Sequence, residues 1–96
     1  MQVKNIKKIS ELVKTLYSEA EIENFFKELL TESEIETLSK RWRILELLAQ
    51  GNTQRDIASE LKVSLCKVTR GAKILKNKDS ILTKYLIKEK FNANIS

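Results

Sequence analysis

The side chains best suited to chemistry are cations gathered in one stretch. Between Gln54 and Lys78 stand Arg55, Lys62, Lys67, Arg70, Lys73, Lys76 and Lys78, against two acids, Asp56 and Glu60. The rest of the chain balances eleven basic residues with eleven acidic ones, so the whole net charge of +5 lies in this quarter. A local excess of this kind is what a face that meets a phosphate backbone requires. The remaining reactive inventory is nearly empty, with no histidine and a single cysteine, Cys66. A Cys/His zinc site and an internal disulfide framework are excluded on composition. So are Ser/His, Cys/His and Glu/His catalytic pairs. An acid–base pair such as Glu60 with Lys67 has no second signal beside it, and the chain does not read as an enzyme.

The basic stretch is also patterned. From Gln54 to Arg70 the residues have the layout of two short helices around a tight turn, a helix-turn-helix over about 53–76. Two helices crossing at ~90–120° must approach closely beside the turn, and Ala58 is small enough to allow it. Ile57, Leu61, Val63 and Val68 are spaced to share one core. Ser64 stands where the second helix needs an oxygen to cap its free amides. That helix then presents its first residues to base edges in a major groove. On this reading Arg55, Lys67, Thr69 and Arg70 contact duplex DNA, with Gln54, Ser64, Leu65 and Cys66 near the bases. Leu65 and Cys66 offer apolar contact to thymine methyls. Lys62 occupies the turn position where glycine is common.

The elements that position these residues are all helical. Ninety-six residues with no proline and only two glycines, Gly51 and Gly71, leave few places to turn sharply. The pattern predicts six helices in one domain over 1–96. The first, about Lys4 to Tyr17, carries Ile6, Ile9, Leu12, Val13 and Leu16 at helical spacing. Ser18 to Glu21 and Thr31 to Glu34 read as capping boxes that open the second and third helices. Apolar faces follow at Ile22, Phe25, Phe26, Leu29 and Leu30, then at Ile35, Leu38, Trp42, Leu45 and Leu48. Trp42 and the paired phenylalanines read as core. Gly51 ends the third helix, Thr53 caps the fourth and Ser64 the fifth. The sixth starts at Asp79 or Ser80 with Ile81, Leu82, Tyr85 and Leu86 inward. A chain this short buries a modest core, which favours oligomerisation. No apolar run approaches ~18 residues, and the amino-terminal stretch has no continuous apolar segment of a secretion signal. The expected location is the cytoplasm, with no membrane partner.

From Leu30 to Lys76 the sequence resembles the bacterial tryptophan repressor family. The resemblance rests on Leu30-Thr31, Lys40-Arg41-Trp42-Arg43-Ile44, Gly51-Asn52-Thr53-Gln54-Arg55-Asp56 and above all Val68-Thr69-Arg70-Gly71. It implies an intertwined homodimer of six-helix subunits that represses transcription from a palindromic operator, with L-tryptophan as corepressor and no metal. It places the corepressor near Leu30, Thr31, Arg41, Arg70, Gly71 and Ile74, with Arg41 and Arg70 flanking the indole and Arg70 pairing with the carboxylate. Arginine suits both tasks, because its planar fork binds carboxylate and stacks on rings. Two positions depart from the family pattern. Ile74 stands where a serine helps to hold the ligand ammonium, and Lys67 stands where a threonine is expected. These departures keep open a repressor-like regulator that is independent of tryptophan. A small basic helical module that meets an acidic protein is the further alternative.

Overall fold

A computed structural model of the chain describes the backbone of residues 2–95 and the side chains of residues 3–89. The described residues form six helices: α1 Gln2–Val13, α2 Glu19–Leu29, α3 Glu32–Ala49, α4 Gln54–Leu61, α5 Leu65–Lys76 and α6 Ile81–Ile95. The chain is all-α, as the periodicity predicts. It divides into two compact units, residues 1–36 and residues 37–96.

The first unit holds α1, α2 and the opening of α3. Helix α1 stops at Val13, four residues before the predicted end, and the amides of Thr15 and Leu16 turn back to the carbonyls of Leu12 and Val13. Ser18 caps α2 by accepting from the Glu21 amide, while the Glu21 carboxylate accepts from the amide of Tyr17 and not of Ser18. The capping box at α3 is reciprocal. Thr31 Oγ1 accepts from the Glu34 amide at 3.1 Å, and Glu34 Oε1 accepts from the Thr31 amide at 2.9 Å. Hydrogen bonding to the carboxylate from the Thr31 amide, and then from its side chain, favours the ionised form and holds the Glu34 carboxyl below its ordinary range. No described residue of this unit is buried, and the apolar faces of α1 and α2 lie open, with Ile6 62 % exposed.

The second unit contains the core. Ile44, Leu47, Ile57 and Val68 are buried together, with Leu48, Ala58, Leu61 and Val63 packed against them. The C-terminal turns of α3 thus meet the α4–α5 hairpin. Gly51, at φ +95°, ends α3 in the left-handed region that glycine adopts without steric cost. Asn52 reinforces that end, since its amide and its side chain both donate to the Leu47 carbonyl. Helix α6 is held to α5 by Thr83, a buried hydroxyl that donates to the Ile74 carbonyl at 3.0 Å. Only part of the predicted inner face of α6 turns inward. Leu86 is buried, but Ile81 is 85 % exposed and Tyr85 is half exposed.

The turn between α4 and α5 is closed by Lys62, at φ 55° and ψ 47°, whose amide donates to the Ala58 carbonyl. A side chain in this left-handed conformation costs about 1–2 kcal/mol, and part of that is recovered by glycine despite its freer unfolded chain. Lys62→Gly is expected to raise stability by about 0.5–1 kcal/mol in urea denaturation. A fall in stability would show that the lysine stem makes compensating contacts.

Candidate functional site

The α4–α5 unit is built by local capping around a buried centre. Thr53 Oγ1 accepts from the Asp56 amide and Ser64 Oγ from the Lys67 amide, so each helix starts where a side-chain oxygen replaces a missing carbonyl. Ile57 and Val68 are fully buried between the helices. Around them the first turns of both helices reach solvent. Arg55, Leu65, Cys66, Lys67 and Arg70 are all exposed. Thr69 and Gln54 are half-buried, and the Thr69 hydroxyl donates to Gln54 Oε1 at 2.8 Å. That bond ties α5 to the first turn of α4 across fifteen residues of sequence.

On the other side of α5 lies an open cleft of about 810 Å³. It is lined from α3 by Leu38, Ser39, Arg41, Trp42, Ile44 and Leu45, from α5 by Lys67, Arg70, Gly71 and Ile74, and from α6 by Leu82. Three cations stand on this lining, with no carboxylate and mostly apolar walls. Trp42 is 37 % exposed, so it forms a wall of the cleft and is not a core residue as predicted. Its ring stands 5.9 Å from that of Tyr85, at 53°, a tilted pair.

A family model described as Trp repressor protein matches residues 4–90. The chain belongs to the Trp repressor protein family. Among curated proteins it is similar to a "Trp operon repressor homolog" of Chlamydia trachomatis serovar D, 36% identical over 80 residues, 78% of this chain and 85% of that protein. It is also similar to a protein of the same name from Xylella fastidiosa strain M23, 56% identical over 45 residues, 46% of this chain and 49% of that protein. The chain therefore spans about half the length of the Xylella relatives that it matches. No solved structure matches it significantly.

Within this Trp repressor family member, four of the six residues assigned to a corepressor converge on the cleft: Arg41, Arg70, Gly71 and Ile74. Leu30 and Thr31 stand on the first unit, as the C-cap of α2 and the start of the α3 capping box. Sequence reasoning missed Leu38, Ser39, Ile44, Leu45 and Leu82 as cleft walls. The signal for Leu38 and Leu45 was their spacing of three and four residues from Arg41, which puts them on its helix face. The apolar walls and guanidinium groups fit an aromatic carboxylate. Ile74 and Lys67 offer no acceptor to the ammonium of an amino acid, whereas the Ser39 hydroxyl on the same lining can accept.

Gly71 has its physical reason in packing. A Cβ built there would lie 3.1 Å from Ile44 Cγ2, 3.2 Å from Leu48 Cδ1 and 3.5 Å from Leu45 Cδ2. The bare backbone lets α5 settle on α3. Gly71→Val crowds these three side chains and is expected to cost about 1–3 kcal/mol in urea denaturation, as overpacked cores do. Gly71→Ala gains about 0.8–1.0 kcal/mol of helix propensity against a milder clash, and is expected to stay near wild-type stability. A Val variant as stable as wild type would refute the close packing of α5 on α3.

Proposed function

We propose that this protein is a DNA-binding transcriptional repressor, a single domain over 1–96 that acts in the cytoplasm as a homodimer on a palindromic operator. The observation that carries the reading is the α4–α5 unit. Its inner side is fully buried at Ile57 and Val68, while the first turn of α5 holds Leu65, Cys66 and Lys67 in solvent, as Arg55 is on α4. A recognition helix is used in this way, with its N-terminal residues toward base edges and cations toward phosphates. Arg55 and Lys67 are assigned to phosphate or base contact, and Arg70 adds charge. Ser64 acts through its cap. Gln54 and Thr69 hold each other and tie α5 to the first turn of α4. The absence of paired catalytic groups in the sequence supports a regulator over an enzyme.

Family membership supports L-tryptophan as corepressor in the cleft, with Arg70 on its carboxylate and Arg41 beside the indole. A second reading, a regulator that does not respond to tryptophan, is favoured by Lys67 and Ile74 on the cleft lining.

The test of DNA binding is its salt dependence. Affinity for a palindromic duplex recovered by selection should fall by orders of magnitude between ~50 and ~200 mM salt, as counterions are displaced from phosphates. Arg55→Ala should weaken binding and reduce the logarithmic salt slope by about 1 for each phosphate that the guanidinium neutralises, with thermal stability unchanged. Binding that ignores salt would favour the protein-interaction module instead.

The homodimer reading rests on the open apolar faces of α1 and α2, which one subunit of this size leaves in water. Sedimentation equilibrium at micromolar concentration is expected to give twice the chain mass of 11.1 kDa. The two recognition helices would then lie one DNA turn apart, ~34–36 Å. A stable monomer would remove that spacing and the palindromic operator with it.

A further inference from the structure

We propose that Lys67 is a base-reading residue, donating from Nζ to the acceptor edge of a guanine in the major groove, and that it thereby sets the sequence specificity of this protein. The inference rests on the reading of α4–α5 as a DNA-binding unit. Its first support is that the fold gives no reason for a lysine at this position. Four helices start with a side-chain oxygen that accepts from the amide three residues on. At Ser18, Thr31 and Thr53 the residue that supplies the amide is an acid: Glu21, Glu34 and Asp56. At Ser64 it is Lys67. The partial positive charge of a helix N-terminus favours an acid there and opposes a cation. Helix α5 has no acidic residue in its first turn, and Arg70, one turn on, is another cation. Lys67 therefore weakens the free helix, and its side chain is exposed, so burial does not offset that cost.

The second support is what the rest of the first turn can read. Leu65 is 48 % exposed and Cys66 is exposed beside it. Their apolar surfaces suit a thymine methyl and distinguish little else. The Ser64 oxygen is engaged in the cap, and the Thr69 hydroxyl proton is given to Gln54. Lys67 is the one charged donor that this turn offers. A helix that enters the groove by its N-terminus brings these residues to base edges, while Arg55 on α4 remains for phosphate.

The third support is the chemistry of the donor. A lysine ammonium has three donors and no acceptor. Guanine offers two neighbouring acceptors in the major groove, O6 and N7, whereas adenine and cytosine present amino donors that an ammonium cannot meet. The flexible four-carbon stem carries Nζ past the shorter Leu65 and Cys66 side chains.

The experiment starts from an operator duplex selected from a random pool by the full chain, with L-tryptophan present throughout. Each guanine is replaced in turn by 7-deazaguanine, which removes N7 and leaves the base pairing and the phosphates unchanged. In the wild type one replacement per half-site is expected to weaken binding about fivefold or more. In Lys67→Met the same replacement should cost less than about twofold, while the other replacements keep their wild-type effects. Lys67→Gln should shift the preference at that base pair from guanine to adenine, which a side-chain amide reads. Without DNA, Lys67→Met should melt about 1–4 °C higher, because the cation at the helix start is gone.

A selected half-site without guanine, or a Lys67→Met protein that still pays the full cost of the replacement, would overturn the assignment. So would equal weakening of Lys67→Met on every duplex, the mark of a phosphate contact, and a lower melting temperature, the mark of a structural lysine. Each of these leaves the DNA-binding reading standing. Failure of the wild type to bind any duplex in the pool would overturn both together.

Discussion

The close approach of α5 to α3 at Gly71 is the constraint on which the second unit depends. Three side chains of α3, Ile44, Leu45 and Leu48, fill the space that a Cβ would need. With α5 held at this distance, Val68 reaches the buried cluster of Ile44, Leu47 and Ile57, and the hairpin with α4 is fixed from both sides. The same approach forms the floor of the cleft, because Gly71 lines it together with Ile44 and Leu45. A glycine costs helix propensity here, and the packing that it permits offsets that cost.

Helix α5 consequently serves three neighbours at once. Val68 and Gly71 are buried, Lys67, Arg70 and Ile74 face the cleft, and Leu65 and Cys66 face solvent at its first turn. Lys67 and Arg70 belong to the cleft lining and are exposed as well. On the proposed reading, a ligand in the cleft and a nucleic acid outside it would meet two shared side chains of one helix. The far end of the helix is anchored by Thr83 on the Ile74 carbonyl, so α5 cannot shift at that end without breaking a buried hydrogen bond.

The first unit poses the opposite problem. Its helices are well capped, at Ser18 and Thr31, yet none of its described residues is buried. Capping contributes about 1 kcal/mol per helix and cannot replace a core. Two amphipathic helices of this kind gain their stability from whatever surface covers Ile6, Ile9, Leu12 and Leu29. A second copy of the chain offers a matching set of faces, which is the basis of the homodimer reading.

What the sequence determined by itself is local. The N-caps at Ser18, Thr31, Thr53 and Ser64 are each read from an oxygen three residues before the amide that it accepts, and all four form. The hairpin core of Ile57, Leu61, Val63 and Val68 follows from spacing over a dozen residues, and it too forms. Lys62 stood out as a non-glycine at the turn, and it does adopt a positive φ. The tertiary structure decided what depends on partners far along the chain. Periodicity marks Trp42 and Ile81 as apolar face positions, but it cannot say whether a neighbour arrives to cover them. Trp42 became a cleft wall beside Tyr85, and Ile81 remained in solvent. The bond from Thr69 to Gln54, the anchoring of α6 at Ile74 and the three side chains around Gly71 have the same origin. Each joins residues on different helices, whose distance is set by packing and not by the repeat of a single helix.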